Sequence, residues 1–236
     1  MEEESTIWYR VMAAAMSIPG INVDRNKFLR AEFSSFCNGS ELYNAVCKPV
    51  RTIPKVKLDK LAKSCITIHK FRTALTSTAL GLPGGWTMAA TIPADMAQYF
   101  GQSLILAQKL AYLYGFPDLR DSQKQLSKES KDILTLLIGV MMGNKTATNS
   151  IKAVSKSLAR TTVGHLIGTR SSCYLLSKQV AKWLGIQLTK KTFLQGVGKA
   201  IPLLGGLISG VITILVFQPA ANRLRLKLSE QMYELC

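Results

Sequence analysis

From Ala200 to Asn222 the chain carries no charged residue, and the core of that run, IPLLGGLISGVITILVF, ends directly on Arg223, Arg225 and Lys227. Such a run has to be covered by protein or lipid, because leaving apolar surface in water costs roughly 25 cal/mol per Å². Nominally it matches the roughly 20 helical residues that cross a bilayer. Pro202, Gly205, Gly206 and Gly210 crowd its first half, so a hairpin, a buried core helix and a single span all fit.

The run lies inside a region of one charge sign. Between Asp132 and Glu230 there is no acidic residue, while thirteen lysines and arginines occupy the interval, in a 236-residue chain of formal charge +16. A field of this kind selects anionic partners without determining the fold. Phosphate draws it equally from nucleic acid and from lipid headgroups. What accompanies the charge discriminates between them. Only Tyr174, Trp183, Phe193 and Phe217 are aromatic in the interval, which is sparse for base stacking, and no duplex-reading motif stands out. Lysine-rich helix faces beside Leu, Ile, Val and Trp match interfacial membrane helices. The residues expected to contact an anionic surface are Lys152, Lys156, Arg160, Lys178, Lys182, Lys190, Lys191, Lys199, Arg223, Arg225 and Lys227. An ordinary solvated basic surface is the plainer alternative, and nucleic acid is expected to bind only non-specifically.

Glycine and proline punctuate a helical pattern, and no alternating run is long enough for a strand. The expectation is an all-α protein: one compact multi-helix bundle over 1–236, with two Gly/Pro-rich apolar segments resembling hairpins. Residues 1–57 would form a helical extension and 58–228 the core. Asp24 predicts the cap of a helix from about Arg25 to Cys37, a short helix follows from Glu41, and Pro49 and Pro54 break the chain. From Leu58 to about Thr78, Leu58, Leu61, Ala62, Cys65, Ile66 and Leu75 recur at helical spacing beside Lys57, Lys60, Lys63 and Lys70. That helix is amphipathic and basic. The block GLPGGWTMAATIPADMAQYFGQ predicts a turn-rich apolar hinge, and the helix after it, through Tyr99, Phe100, Leu110 and Tyr114, stops at Gly115 before Pro117. Asp132 predicts the start of a buried apolar helix through Met142. Basic helices are expected around Ile151 to Arg160 and around Ser172 to Leu184, ending at Gly185, with another opening at Thr189.

Catalytic and metal chemistry find little support. His69 and His165 are the only histidines and neither has a second ligand at a recognised spacing, so no metal and no cofactor are expected. Gly196-Val197-Gly198-Lys199 lacks the earlier glycine and the following hydroxyl of a phosphate loop, because Phe193 and Ala200 stand there. Asp95 after Pro93 suits a first helical turn, where a carboxylate satisfies free N–H groups. Its alternative use is as an acid in a pocket with Tyr99, Gln102 and His165. Five scattered cysteines without a C-x-x-C pair point to a reducing, cytoplasmic compartment. Glu2, Glu3 and Glu4 have the wrong sign for the leading region of a signal peptide, and Cys236 completes no prenylation box.

Four elements together resemble the EcsC family: Gly81-Leu82-Pro83-Gly84-Gly85, then Ile92-Pro93-Ala94-Asp95, then Gln108-Lys109-Leu110-Ala111-Tyr112-Leu113-Tyr114-Gly115, and Ile201-Pro202 with Gly205-Gly206. The likeness covers roughly Leu58 to Leu228. It implies a bacterial, mainly helical protein of the cytoplasm or inner membrane, in a family named for a protein encoded beside an ABC transporter and without an established activity. It also implies structural roles for Gly81, Pro83, Gly84, Gly85, Pro93, Asp95, Tyr114, Gly115, Pro202, Gly205 and Gly206, and it carries over no catalytic set.

Taken together, these readings predict a non-enzymatic helical protein that docks on or inserts into the anionic cytoplasmic leaflet through its basic half, with the capacity to perturb the bilayer. An accessory protein of a membrane transporter and a small-molecule binder or enzyme with a pocket near Asp95 are the alternatives.

Overall fold

The computed structural model describes the backbone of residues 3–80, 94–160, 170–189 and 202–234, and their side chains except at 3–4, 74–80, 94–95, 152, 156–160, 170–173, 187, 189 and 202–214. The fold is all-α. Its helices are α1 (Glu3–Met16), α2 (Arg25–Phe33), α3 (Gly39–Cys47), α4 (Pro49–Thr52), α5 (Lys55–Leu80), α6 (Ala94–Leu113), α7 (Lys128–Met141), α8 (Lys145–Arg160), α9 (Arg170–Thr189) and α10 (Pro202–Glu234). Among the described residues the only β pairing is an isolated bridge between Arg120 and Leu126.

Helix α6 is the centre, and its sequence explains why. Leu104, Leu106, Ala107, Leu110, Ala111, Tyr112 and Leu113 are all buried, so neighbours cover it on nearly every side. It stops where the pattern predicts. Gly115 takes φ +91, with Gly115 N–H on the Tyr112 carbonyl at 3.1 Å and Phe116 N–H on that of Ala111 at 2.9 Å, a Schellman closure that favours a residue without Cβ. Gln108 holds the preceding loop to the helix, its Nε2 donating to the Ile21 carbonyl at 2.7 Å while its Oε1 accepts from Val23 N–H at 3.1 Å. An amide side chain thus pairs both backbone groups of an irregular segment that would otherwise be buried unsatisfied.

Helices α5, α6 and α10 form one layer whose register is fixed by side chains. Near the start of α5, Asp59 meets Tyr114 just beyond α6 and Arg225 in α10; farther on, His69 meets Gln102 and Lys70 meets Gln218. Helix α5 therefore runs antiparallel to α6 and α10. The C-terminus of α5 at Leu80 and the N-termini of α6 and α10 at Ala94 and Pro202 lie at one end of the layer. Helices α1 and α7 also pack on α6; α9 packs on both of them, and α8 packs on α7, α9 and α10. Gly139 admits α8 and α9 to α7, since a Cβ there would lie 2.5 Å from Val180 Cγ1 and 2.8 Å from Ala147 Cβ.

Several boundaries depart from expectation. Helix α1 contributes Trp8, Val11, Met12 and Ala15 to the core, and Trp8 Nε1 donates to Thr135 Oγ1 at 3.1 Å, so the N-terminal residues are built into the bundle. Helix α7 begins one turn before Asp132, because Ser127 accepts the Ser130 N–H at 3.2 Å and caps it; Asp132 is buried inside the helix and accepts from Ser177 Oγ at 2.7 Å. Helix α2 ends at Phe33, short of Cys37. Helix α9 passes through Gly185 to Thr189, and the helix expected to open at Thr189 falls on residues 190–201, outside the described residues. Burial of Leu184 and Leu188 offsets the roughly 1 kcal/mol that an internal glycine costs. Residues 202–222 are neither hairpin nor break but the first part of α10, whose Pro202 occupies the first helical position, where its missing N–H is no loss. The other Gly/Pro segment, 81–93, lies outside the described residues.

Candidate functional site

Of the basic collar after the apolar run, Arg225 turns inward. Arg225 is buried, with Nη1 3.5 Å from Asp59 Oδ1, and Tyr114 Oη donates to the same carboxylate oxygen at 2.5 Å. Arg225 is therefore a packing residue joining α10 to α5, which corrects its expected place on an anion-facing surface. The reason is rotational: Arg225 follows Ala221 by four residues and precedes Leu228 by three, and both are core positions. Arg223 reaches across to α7, donating from Nη1 to the Met141 carbonyl at 2.8 Å, and Lys227 pairs with Glu230 at 2.9 Å. Both of these cations already serve an internal contact.

The remaining expected contacts divide between surface and undescribed positions. Lys178 is exposed and Lys182 half-buried on α9, where with Ser5, Leu175 and Gln179 they line a shallow open hollow of about 180 Å³. The helix α8 backbone carries Lys152, Lys156 and Arg160, whose side chains lie outside the described residues, as do Lys190, Lys191 and Lys199 entirely. Gly81, Pro83, Gly84, Gly85 and Pro93 fall there too. Asp95 is the second residue of α6 and its side chain is not among those described; Pro202, Gly205 and Gly206 lie in the first turns of α10.

Tyr114 and Gly115 do structural work, as do Gln108 and Tyr112 of the same run: Tyr112 Oη accepts from Leu119 N–H at 3.2 Å. Of the pocket expected around Asp95, Tyr99, Gln102 and His165, only the Tyr99 and Gln102 side chains are among the described residues. Tyr99 stacks edge-on against Phe100 and Phe217, with centroids 5.2 and 5.9 Å apart, while Gln102 Oε1 lies 2.9 Å from His69 Nδ1 and His165 is undescribed. Burial is the main cause that pushes the Tyr99 hydroxyl up to about 12 and the His69 imidazole down to about 4. Neither group is set for proton transfer near neutrality. Among the described residues no cluster of three or more His, Cys, Asp or Glu could hold a metal ion.

What the sequence reading missed is the outer face of α5. Lys57, Lys60, Lys63 and Arg72 are exposed there beside Ile68 and Phe71, which are 47% and 58% exposed. Its one carboxylate, Asp59, is engaged by Arg225 and Tyr114. Lys70 Nζ sits 4.9 Å from the Phe71 ring centroid. The signal was present: Ile68 and Phe71, three residues apart, project on the lysine side of a helix whose core stripe is Leu58, Ala62, Cys65, Ile66 and His69. No helix among the described residues is long and apolar enough to cross a membrane. Comparison of the chain with protein-family models, curated proteins and solved structures finds no match.

Proposed function

We propose that the protein is a peripheral component of an anionic membrane surface, held there by charge and shallow apolar burial, and that it is not an enzyme. The observation that carries this reading is the outer face of α5, where Lys60, Lys63 and Arg72 flank exposed Ile68 and Phe71 and the only carboxylate is taken up internally. Interfacial helices combine these ingredients, each basic residue near an anionic leaflet contributing about 1 kcal/mol and the apolar side chains adding burial at the acyl boundary. Charge alone would serve nucleic acid equally, but Ile68 and Phe71 gain nothing from a phosphate backbone. The cytoplasmic leaflet and membership of the EcsC family belong to the same proposal, supported by the cysteine pattern and by the motif residues quoted above. Flotation with phosphatidylglycerol-rich and with phosphatidylcholine vesicles tests it. Recovery with the anionic vesicles that declines as salt rises is expected, and equal recovery with both, or with neither, sinks the proposal.

A further inference from the structure

Helices α5 and α10 lie side by side, joined at Lys70 and Gln218, and both carry exposed apolar side chains at that level. Leu215 and Val216 of α10 are 67% and 47% exposed, and across the Lys70 to Gln218 contact of 3.0 Å lie Ile68 and Phe71 of α5. Large apolar side chains on a basic protein stay in water only at a cost, and a patch shared by two helices marks a contact surface.

We infer that the outer side of α5 and α10 around the Lys70 to Gln218 contact is the part of the molecule that enters the lipid interface, with Ile68, Phe71, Leu215 and Val216 at the acyl boundary and Lys63, Lys70 and Arg72 at headgroup level. The inference rests on the proposed membrane reading and adds the site of entry. Charge selects the occupant. From Lys60 to Ala94 and from Pro202 to Ser229 there is no carboxylate, so neither helix opposes an anionic surface over these spans. A second copy of a chain of formal charge +16 would bring like charge against like, whereas an anionic bilayer supplies both countercharge and an apolar layer. Arg223 and Arg225 secure the later half of α10 to α7 and α5.

Vesicle flotation of the full chain with phosphatidylglycerol-rich vesicles, comparing wild type, the double variant Phe71→Ser/Leu215→Ser and the control Tyr43→Ser, tests the assignment. Tyr43 is 61% exposed on α3. All three substituted side chains are exposed, so circular dichroism is expected to match wild type, and a change confined to the double variant would transfer the test to Phe71→Ser alone. The expected result is about a tenfold loss of partitioning for the double variant and none for Tyr43→Ser. Binding by the double variant equal to that of a wild type that floats overturns the site while sparing the membrane reading. Failure of wild type to float overturns both. A wild-type dimer in light scattering that the double variant dissolves, without lipid binding, assigns the patch to a second copy and also overturns the site.

Discussion

Arg223 of α10 donates from Nη1 to the Met141 carbonyl at 2.8 Å, capping the C-terminus of α7 from a different helix. Helix α7 has no basic residue in its own last turn, so the negative end of its dipole is met by this guanidinium. The approach depends on Gly143, which sits at φ +82 and would place a Cβ 2.9 Å from Arg223 Nη1. A turn that needs a left-handed residue and a cation that needs room therefore select the same glycine.

Two variants test that relationship. Arg223→Ala is expected to cost about 1–2 kcal/mol for the lost charge-assisted bond. Gly143→Ala is expected to cost about 1–2 kcal/mol in backbone strain and in addition to displace the guanidinium. Because the second change already disturbs the bond that the first removes, the double variant should lose less than the sum of the two, as read by urea denaturation. Strict additivity would mean that Gly143 and Arg223 act independently.

The Asp59, Tyr114 and Arg225 contact makes a different prediction. The Arg225 side chain is 10% exposed and that of Asp59 24%, so removing the arginine strands a half-buried carboxylate. Arg225→Leu is expected to destabilise by about 2–3 kcal/mol, less than a fully buried pair would. Asp59→Asn/Arg225→Leu should recover part of that loss, because no unpaired charge remains. Tyr114→Phe, which deletes the hydroxyl donor, should cost about 1 kcal/mol. A double variant no more stable than Arg225→Leu would assign the loss to packing instead of charge.

These cases show what was legible in the chain and what was not. Gly115 ends α6 and Asp24 caps α2, accepting from Lys27 N–H at 2.8 Å, because both signals are local and need no partner beyond their own turn. The inward direction of Arg225 follows from its spacing to Ala221 and Leu228, yet its partner Asp59 lies in another helix that spacing cannot locate. Helix α1 was written in Trp8, Val11, Met12 and Ala15 at helical intervals, obscured by reading the leading glutamates as a terminus signal only. On the outer face of α5, Ile68 and Phe71 stand apart from the stripe of Leu58, Leu61, Ala62, Cys65 and Ile66, and their phase relative to the lysines carries the information.

The buried imidazole of His69 gives a pH prediction whose sign follows from its surroundings. Its Nδ1 faces Gln102 Oε1, and its Nε2 is buried without a hydrogen-bond partner among the described residues. Burial first, then the charges of Lys109 and Arg72, lower its pKa to about 4, while the bond to Gln102 acts in the opposite direction. In the unfolded chain the ring titrates near 6.5. As pH falls below that value the unfolded state takes up the proton first, so stability contributed by the neutral ring declines between about pH 6.5 and 4, by about 3 kcal/mol at most. Glu32 and Asp132, raised by burial, bind protons more readily when folded and oppose this trend as they titrate. The comparison is therefore between wild type and His69→Gln, in which the carboxylates are common to both. Urea denaturation at intervals from pH 7.5 to 4 should show wild type losing stability relative to the variant only below about 6.5, and a difference constant across that range would remove the buried neutral imidazole from the account.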